Sequence, residues 1–565
     1  MFKRHYPFWP SGLPKSLAVP QTSLYFNLYV SARRYAQKAA IHYYGADLTY
    51  AGMDAEVCAL AGYLQRCGVK RGDRVLLYMQ NSPQFVIGYY AILRADAAVV
   101  PVNPMNRTEE LRHYAEDSGA ALVLCGQELW PQVEPLLGAS GLAHCIVAAY
   151  SDYIDPATDL PVPEFVRAAR LPAPHPKEGA VTLWSDALAA GALPSAHLAG
   201  PDDLAALPYT SGTTGKPKGC MHPHSTIMFT ANGGVYWGSA TSDSVVLGVL
   251  PMFHVTGMQG NMNTPIIVGA TVVMMTRWDR DCAGELIQRC RVTGWTNITA
   301  MLIDFLANPN LDRYDLSSLT RVGGGGASMP EAVAKKLEEK IGLPYIEGYG
   351  LTETAAPTHV NPVQRPKKQC AGIPYFDTDS RVIDPDKLVE LGPNQVGEII
   401  SRGPQVFRGY WNQPKASRDT FVEFDGHTFF RTGDLGYFDE EGYFFITDRL
   451  KRMINAAGFK VWPAEVEAML YAHPDIQEAC VISTRDAYRG ESVKAVVVLK
   501  AASRGKVDEG AIIEWAKGHM AAYKYPRVVE FVAELPKTGT GKVFWRKLQE
   551  VENARQAGAG VKIGA

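Results

Sequence analysis

The chain has 565 residues, a formal net charge of -2, an apolar fraction of 47% and a charged fraction of 20%. Because one ordinary hydrophobic core does not reach this length, we expect two or more domains. A net charge this close to zero provides no global field that would attract nucleic acid, so any anion site must be local.

Nine cysteines are scattered through the chain without a Cys-x-x-Cys pair. Their odd number and their spacing favour reduced, mostly buried thiols over a disulfide framework, which is typical of a cytoplasmic protein. Cys220 could be a reactive thiol, but we interpret it as a small buried hydrophobe.

The first ten residues are basic and aromatic, and no continuous apolar run follows them, so they do not predict a secretory signal. We interpret them as a disordered or core-capping extension rather than as a membrane-surface contact. The longest apolar stretch, around residues 85 to 102, is interrupted by Arg94 and Asp96 and is too short to span a bilayer. We therefore expect membrane contact to be peripheral at most.

Strands and helices alternate from residue 74 onwards. The apolar runs 74–79, 97–102 and 120–125 predict buried strands, and the stretches 84–95 and 109–118 between them predict helices. This alternation predicts parallel sheets that are covered by helices on both faces. The fold class is therefore α/β.

A loop with the composition of a phosphate-binding segment follows at YTSGTTGKPKG, residues 209–219. Glycines allow the backbone to approach an anion closely, and the hydroxyl, ammonium and amide groups supply donors to a polyphosphate. A Walker loop is excluded because Pro217 stands where Ser or Thr is required and Thr210 where the first glycine is required. A flexible surface loop is the alternative interpretation.

A second glycine run, residues 323–326, ends in Ser328-x-x-Glu331, which predicts a capping box and a helix with Pro330 in its first turn. These glycines predict either close approach of a ligand or a tight strand-to-helix turn. Beyond Gly392 the sequence predicts shorter strands, at 397–401, 429–434 and 442–447. The remainder predicts a small α+β domain with a helix from Pro463, strands at 480–483 and 493–499, and a helix at 511–519.

Six segments occur in an order that resembles the adenylate-forming superfamily, which includes acyl-CoA synthetases, firefly-type luciferases and the adenylation domains of peptide synthetases. The similarity extends from about residue 25 to 545. The segments are YTSGTTGKPKG (209–219), LPMFHVTG (250–257), YGLTET (349–354), RTGDLG (431–436), DRLKRMINAAG (448–458) and PKTGTGK (536–542).

The resemblance implies a large N-terminal domain over 1–450, with parallel-rich sheets sandwiched by helices and a β-barrel-like subdomain. It also implies a small mobile α+β domain over 451–565, with Lys451 as the hinge. A possible homodimer is expected as well.

The resemblance implies a site for ATP or AMP. Tyr349 would stack on adenine, although a Tyr near glycines is more often a core residue. Thr352 would contact the α-phosphate, and Glu353 would bind Mg²⁺, for which a carboxylate oxygen is a suitable ligand. The expected nucleotide contacts are Thr210, Ser211, Gly212, Thr213, Thr214, Gly215, Lys216, Lys218, Gly324, Ala327, Glu347, Gly348, Tyr349, Gly350, Thr352, Asp434 and Arg449, with the last two on the ribose.

Four residues are expected to be catalytic by resemblance: Lys542, Thr352, Glu353 and His254. Lys542 would neutralise charge as a carboxylate attacks the α-phosphate. His254 would be an aromatic gate between the acyl and pantetheine tunnels, with a buried, hydrogen-bonded His as the alternative. His222 and His224 form a His-x-His pair, but without acidic or Cys companions they predict a metal site only weakly.

The acid would lie in a tunnel lined by small and apolar residues. The expected walls of this tunnel and of the CoA tunnel are Tyr236, Trp237, His254, Met258, Gly325, Ala355 and Gly458. The resemblance implies an ATP-dependent acid:CoA ligase for a hydrophobic acid, most simply a medium- or long-chain fatty acid, with ATP, Mg²⁺ and CoA. The alternatives are an aryl-acid CoA ligase, a loader of carrier proteins and a non-enzymatic sensor.

Overall fold

The fold is given by a computed structural model that describes residues 1–171, 180–210, 217–326, 328–456, 459–486, 490–538 and 543–556. The chain divides into two units. The first comprises Met1–Ser380, Ser401–Phe430 and Glu441–Phe444, and the second comprises Arg381–Ile400, Arg431–Glu440 and Phe445–Ala565. The second unit also includes Arg381–Ile400 and Arg431–Glu440, which precede the predicted domain boundary at residue 450. That boundary therefore stays a prediction.

The first unit contains a nine-stranded sheet whose central strands are parallel and whose edges are antiparallel. Its strands, in spatial order, are Ile373–Pro374, Ala356–Val360, Tyr345–Leu351, Arg321–Gly325, Gly294–Asn297, Val245–Gly248, Thr271–Met274, Ala39–Tyr43 and Ala46–Thr49.

A seven-stranded sheet lies in the same unit and is parallel except at one edge. Its strands, in spatial order, are His222–Pro223, Leu204–Ala206, Ala98–Pro101, Arg74–Tyr78, Leu122–Gly126, His144–Ala148 and Val181–Leu183. The predicted alternation of parallel strands and helices is confirmed, with element ends shifted by at most two residues.

Helices cover these sheets because their apolar faces match the period-2 faces of the strands. Val75 and Leu77 pack in one apolar cluster, whereas Leu76 and Tyr78 pack in another on the opposite face. The α-helices of this unit are Tyr25–Arg34, Tyr50–Arg66, Pro83–Arg94, Thr108–Ser118, Trp130–Val133, Glu164–Arg167, Trp184–Ala189, His224–Trp237, Val255–Met258, Thr264–Val268, Arg280–Arg289, Thr299–Leu306, Glu331–Ile341 and Pro414–Asp419.

Helix Glu331–Ile341 begins differently from the prediction. Pro330 is the N-cap residue and no side chain caps the helix, so the predicted Ser328 capping box is wrong. Proline disfavours helical backbone in the residue before it, so Met329 is not helical and the N-cap lies two residues later than predicted, without a hydroxyl cap.

The N-terminal segment caps the core of the first unit, one of the two interpretations that the sequence left open. The Phe2 amide donates to Asp379 Oδ1 at 2.7 Å, and the Phe2 ring packs edge-on against Phe444. Trp9 packs edge-on against Trp237 and Phe376 with ring centroids 5.2 and 5.4 Å apart.

All nine cysteines are free, and six of them are buried, which confirms the reduced-thiol prediction. Burial raises the pKa of the Cys220 thiol well above its ordinary value, so it is a buried apolar side chain and not a reactive thiolate. Within the described residues, no helix has both the length and the apolar character that a bilayer span requires.

The predicted β-barrel-like subdomain corresponds to a five-stranded sheet with residues in both units. Phe421–Phe424 pairs with 427–430 in the first unit, and 381–383, 397–400, 431–438 and 445–449 form the part in the second. The full strands are Asp379–Ile383, Gly397–Arg402, Phe421–Phe424, His427–Phe438 and Phe444–Arg449.

The rest of the second unit is the predicted α+β domain. Its strands are Ile454–Ala456, Phe459–Val461, Ile476–Asp486, Gly490–Leu499 and Val528–Phe531. Its helices are Pro463–Leu470, Glu509–His519 and Trp545–Gln556. Lys494, only 5% exposed, places its Nζ 2.5 Å from Glu552 and 2.8 Å from Glu530.

Lys494 makes the stability of this unit pH-dependent. Burial alone would raise the pKa of Glu552, but hydrogen bonding and the charge of Lys494 outweigh burial, so the pKa lies below its ordinary value of 4.5. The unfolded chain therefore binds more protons in acid, and this stabilisation is lost as the pH falls through the folded pKa.

We expect Lys494→Met to destabilise the second unit by about 3–5 kcal/mol at neutral pH, because it leaves two carboxylates without their cation. The deficit should shrink below pH 4.5, where the carboxylates become protonated. Hydrogen exchange of the amides in strand Gly490–Leu499, followed as a function of pH, measures this loss of stability. Lys517→Met, which removes an exposed pair with Glu514, should cost about 1 kcal/mol or less. Equal effects of the two variants would contradict the prediction.

Candidate active site

The residues at the two ends of the predicted phosphate loop pair with each other as short antiparallel strands. Thr210 pairs with Lys218 and Tyr209 with Gly219 in an antiparallel stem. Ser211, Gly212, Thr213, Thr214, Gly215 and Lys216 lie outside the described residues, so their phosphate contacts stay predictions.

Side chains from a neighbouring helix hold the stem in place. Tyr209 Oη donates to Asp117 Oδ2 at 2.6 Å, and His113 Nε2 donates to the Pro217 carbonyl at 2.9 Å. Both partners come from helix Thr108–Ser118, so the base of the loop is fixed to the seven-stranded-sheet side of the unit.

Tyr410 connects Lys218, at the base of the hairpin, to Glu353, the predicted metal ligand. Lys218 Nζ lies 5.0 Å from the centre of the Tyr410 ring, and Tyr410 Oη donates to Glu353 Oε1 at 2.8 Å. Burial, followed by the charge of Glu353, raises the pKa of Tyr410, so this phenol stays a hydrogen-bond donor. The Lys218 ammonium thus lies over the Tyr410 ring, and the Glu353 carboxylate is held at the hydroxyl of the same side chain.

Thr352 and Glu353 lie in the tight turn that connects strands Tyr345–Leu351 and Ala356–Val360. The turn ends with two non-glycine residues in left-handed conformations, Ala355 at φ +48 and Ala356 at φ +90. Such conformations cost on the order of 1–3 kcal/mol each and persist only where surrounding contacts fix them. Gly350 allows the close approach, because a Cβ there would lie 1.9 Å from the Ala356 carbonyl oxygen.

Thr354 fixes the turn from inside. Its hydroxyl accepts from the Leu351 amide at 3.0 Å and donates to the Ala356 carbonyl at 2.8 Å. The Phe407 amide donates to the Glu353 carbonyl at 2.8 Å from outside. The backbone around Glu353 is therefore hydrogen-bonded on both sides.

Two further residues fix the turn, and sequence reasoning did not assign this role to either. His222 Nε2 donates to the Thr352 carbonyl at 2.7 Å, and Gln259 Nε2 donates to the Ala355 carbonyl at 3.3 Å. Burial lowers the pKa of His222 to about 4, so its imidazole is neutral at ordinary pH. Gln259 begins a π-helical turn, Gln259–Asn263, a local irregularity frequent at functional sites and not readable from the sequence.

The weak prediction of a metal site at His222 and His224 has no support from their surroundings. His224 Nδ1 accepts from the Leu24 amide at 3.1 Å, and burial lowers the pKa of His224 to about 3. Within the described residues, no group of His, Cys, Asp and Glu side chains is arranged to hold a metal ion.

The glycine-rich strand ends of the expected nucleotide site lie side by side. Gly324 is in register with Glu347 and Gly325 with Gly348 in parallel strands. A Cβ at Gly324 would lie 1.8 Å from the Asn297 carbonyl oxygen, so this backbone contact requires glycine. Ala327 lies outside the described residues.

Glu347 supports the loops around the expected adenine position. Its carboxylate accepts from the Met329 amide at 3.2 Å and the Gln369 amide at 2.9 Å, and burial raises its pKa to about 7. Tyr349, two residues on, is half-buried with its ring 5.7 Å from that of His359.

His254, the predicted gate, is the N-cap residue of helix Val255–Met258. Its Nδ1 accepts from the Thr256 amide at 3.3 Å, which fixes the ring beside the first turn. The ring is half-buried. This position is compatible with a gate, and that role stays a prediction.

The predicted acyl-pocket residues of helix His224–Trp237 do not share one surface. Tyr236 is 46% exposed, whereas Trp237 is buried and donates from Nε1 to the Asn361 carbonyl at 3.0 Å. Met258 and Ala355 are buried near the site. Trp237 packs against Trp9 of the N-terminal segment. That these residues line the acyl or CoA tunnel stays a prediction.

The remaining predicted residues belong to the second unit. Asp434 is 2% exposed and follows Gly433, which has φ +68, inside strand His427–Phe438. Arg449 ends strand Phe444–Arg449, and Lys451 lies in the 3-10 turn Leu450–Arg452. Gly458 and Lys542 lie outside the described residues.

Comparison with known families finds matches over most of the chain. Residues 28–411 match the model of the AMP-binding enzyme family, and residues 465–542 match that of the AMP-binding enzyme C-terminal domain. The chain is 34% identical over 550 residues to a long-chain-fatty-acid–CoA ligase of Bacillus subtilis (strain 168), covering 96% of this chain and 97% of that protein. It is 33% identical over 521 residues to a feruloyl-CoA synthase of an Amycolatopsis species, covering 91% and 96%.

Solved structures show the same architecture. An anthranilate CoA ligase in complex with anthranoyl-AMP superposes with a TM-score of 0.82 at 27% identity, covering 97% of this chain and 99% of that one. A fatty acyl CoA synthetase of Mycobacterium tuberculosis superposes with a TM-score of 0.71 at 28% identity, covering 94% and 99%.

The turn at Thr352 should loosen when its histidine support is removed. We expect His222→Leu to leave the Thr352 carbonyl without its donor, at a cost of about 1–3 kcal/mol. Amides 351–356 should then exchange faster with solvent, and AMP should bind about tenfold more weakly by calorimetry.

His222→Gln is the matched control, because its amide nitrogen replaces Nε2 and retains the hydrogen bond. We expect this variant to keep most of the AMP affinity. If the Gln and Leu variants bound AMP equally, the positioning role of His222 would be excluded.

Proposed function

The chain belongs to the AMP-binding enzyme family, and from that membership we propose that it is an ATP-dependent acid:CoA ligase for a hydrophobic carboxylic acid, most simply a medium- or long-chain fatty acid. The observation that carries the proposal is the strained, multiply hydrogen-bonded turn that places Thr352 and Glu353 beside Tyr410 and Lys218. Strain of this kind is concentrated at functional sites.

The first half-reaction joins the acid to AMP. A carboxylate oxygen attacks the α-phosphorus of ATP, the bond from that phosphorus to the bridging oxygen breaks, and pyrophosphate leaves. Catalysis of such a step is mainly positioning and charge stabilisation. Thr352 would orient the α-phosphate, Lys218 and the phosphate loop would hold the β- and γ-phosphates, and Lys542 would neutralise charge at the reacting centre.

Mg²⁺ would be held by Glu353 together with phosphate oxygens, and it would supply charge neutralisation on the leaving pyrophosphate. The donor chemistry fits, because Glu353 offers a half-buried carboxylate next to the phosphate-loop stem. Tyr410 fixes the carboxylate by donating to one of its oxygens.

The second half-reaction transfers the acyl group to CoA. The thiolate sulfur attacks the carbonyl carbon of the acyl-adenylate, the bond to the phosphate oxygen breaks, and AMP leaves. No nucleophilic side chain is needed, since the mixed anhydride is already activated. Rotation about Lys451, which would exchange Lys542 for the loop bearing Gly458, is part of the proposal.

An aryl acid is the second candidate substrate, and the 33% identity to a feruloyl-CoA synthase favours it. Activity on carrier proteins, a cytoplasmic location, peripheral membrane contact and a homodimer are further proposals without a supporting contact in the described residues.

The function is tested by incubating the protein with MgATP, CoA and a panel of short-chain, long-chain and aromatic acids. Pyrophosphate release and acyl-CoA mass are followed together. Thioester from one class supports the proposal and identifies the substrate class. Pyrophosphate without thioester would indicate another acceptor, and no reaction with any acid would contradict the proposal.

Lys542 should act in the first half-reaction only. We expect Lys542→Ala to slow adenylation from the free acid by about 10²- to 10³-fold, because it removes a charge-stabilising group. Thioester formation from a supplied acyl-adenylate should be unchanged, which single-turnover assays of each step measure.

Lys537→Ala serves as the control for this experiment. Lys537 lies on the same C-terminal segment, is half-exposed and pairs with Glu478 at 2.7 Å. We expect both half-reactions to be unaffected. If Lys542→Ala slowed both steps equally, its assigned role would be wrong.

A further inference from the structure

Arg321 is a deeply placed cation that the proposed reaction does not use. It is the first residue of strand Arg321–Gly325, and burial lowers the pKa of its guanidinium. The residue nevertheless keeps some accessible surface. No described residue forms a hydrogen bond or an ion pair with its guanidinium.

Helix His224–Trp237 and its cap are shaped to accommodate this guanidinium. A Cβ at Gly238 would lie 2.1 Å from Arg321 Nη1, so a side chain there would displace the guanidinium from its present position. A Cβ at Gly233 would similarly lie 2.4 Å from Tyr375 Oη. The absence of side chains at Gly233 and Gly238 thus allows the Tyr375 hydroxyl and the Arg321 guanidinium to lie close to the helix backbone.

Arg321 and Tyr375 both lie against the C-terminal part of helix His224–Trp237, at Gly238 and Gly233 respectively. Gly233 and Gly238 are five positions apart, which is about 7.5 Å along a helix axis. Tyr375 is 2% exposed, and its hydroxyl has no hydrogen-bond partner among the described residues. Burial raises the pKa of Tyr375, and the positive charge of Arg321 opposes this increase.

The helix end compensates this cation only in part. The negative end of helix His224–Trp237 is favourable for a cation. However, the last-turn carbonyls of Gly234, Val235 and Tyr236 already accept from the amides of Gly238, Ala240 and Ser239. A cation withdrawn from water without a hydrogen-bonded acceptor is costly, so an anionic ligand would bind here favourably.

The position of Arg321 relates this site to the reactive turn. The strand runs from Arg321 to Gly325, which is in register with Gly348 of the strand that leads to Thr352. At about 3.3 Å per residue, Arg321 lies about 13 Å along the strand from Gly325. An acid that reacts at Thr352 and extends along this strand would reach Arg321 with its far end.

We propose that Arg321, assisted by the Tyr375 hydroxyl, binds a second carboxylate at the far end of the acid substrate. The preferred substrate is then an α,ω-dicarboxylic acid of medium length instead of the monocarboxylic acid of equal length. This inference rests on the proposed function and specifies its substrate class. Arg321 supplies a planar pair of N–H donors, and Tyr375 a third donor, to the two oxygens of the distal carboxylate.

The test compares matched pairs of acids with the full-length protein, MgATP and CoA: octanoate with octanedioate, dodecanoate with dodecanedioate, and hexadecanoate with hexadecanedioate. We expect kcat/KM to be about tenfold or more higher for the diacid of at least one pair. Arg321→Met should lower kcat/KM for that diacid by about tenfold to a hundredfold, because the distal carboxylate loses its charged partner. The value for the monoacid should be unchanged or higher.

Arg313→Met is the matched control, since Arg313 is an exposed arginine close by in the sequence. It should leave both values unchanged. Tyr375→Phe should lower kcat/KM for the diacid alone. The ratio between diacid and monoacid is the decisive readout, because a loss of stability would affect both substrates equally.

The inference is overturned if the wild-type protein uses monoacids and rejects every diacid, a result that leaves the proposed function intact and does not depend on any variant folding. It is also overturned if Arg321→Met lowers the melting temperature without changing the ratio, since Arg321 would then only stabilise the helix end. Absence of thioester from every acid would instead contradict the proposed function itself.

Discussion

The site depends on a backbone turn that the chain would not adopt by itself. Ala355 and Ala356 have positive φ, and the antiparallel strands on either side approach so closely that Gly350 has no room for a Cβ. The conformational cost is offset by hydrogen bonds from side chains on other elements, above all His222 and Gln259. Because these contacts fix the turn before any ligand arrives, Thr352 and Glu353 are preorganised.

The same contacts connect the turn to the phosphate hairpin. Tyr410 hydrogen-bonds to Glu353 through its hydroxyl and faces Lys218 with its ring. The hairpin stem is in turn held by Asp117 and His113. The carboxylate proposed to bind the metal, Glu353, and the cation proposed to bind phosphate, Lys218, are therefore both fixed by contacts within the first unit. The groups proposed to act at different steps, Lys542 and Gly458, lie outside the described residues, so their part in the two steps stays a prediction.

The sequence predicted those parts of the fold and of the candidate site that depend on residues close together in the chain. Apolar runs such as residues 74–79 could be assigned as buried strands because a continuous apolar run is typical of a strand covered on both faces. The motif at 349–354 indicated where the proposed reactive turn lies. The Ser328 capping box was wrong because Pro330 disfavours helical backbone at Met329, which moves the helix start beyond the reach of the Ser328 cap. The supports of the turn were missed because their partners are distant, with 130 residues separating His222 from Thr352 and 96 separating Gln259 from Ala355. No sequence motif includes Arg321. Its proposed role depends on its packing against a helix that is distant in the sequence, at Gly238, and on Tyr375, which packs at Gly233 of the same helix.

A crystal structure with a non-hydrolysable acyl-adenylate analogue would test the central claim most directly, namely that the turn is preformed and holds the adenylate. The account predicts that Ala355 and Ala356 keep their left-handed conformations and that the hydrogen bonds from His222 and Gln259 persist. It also predicts that the group replacing the α-phosphate lies within hydrogen-bond distance of the Thr352 hydroxyl. An analogue bound elsewhere, or a turn that refolds around it with negative φ at both alanines, would contradict the account.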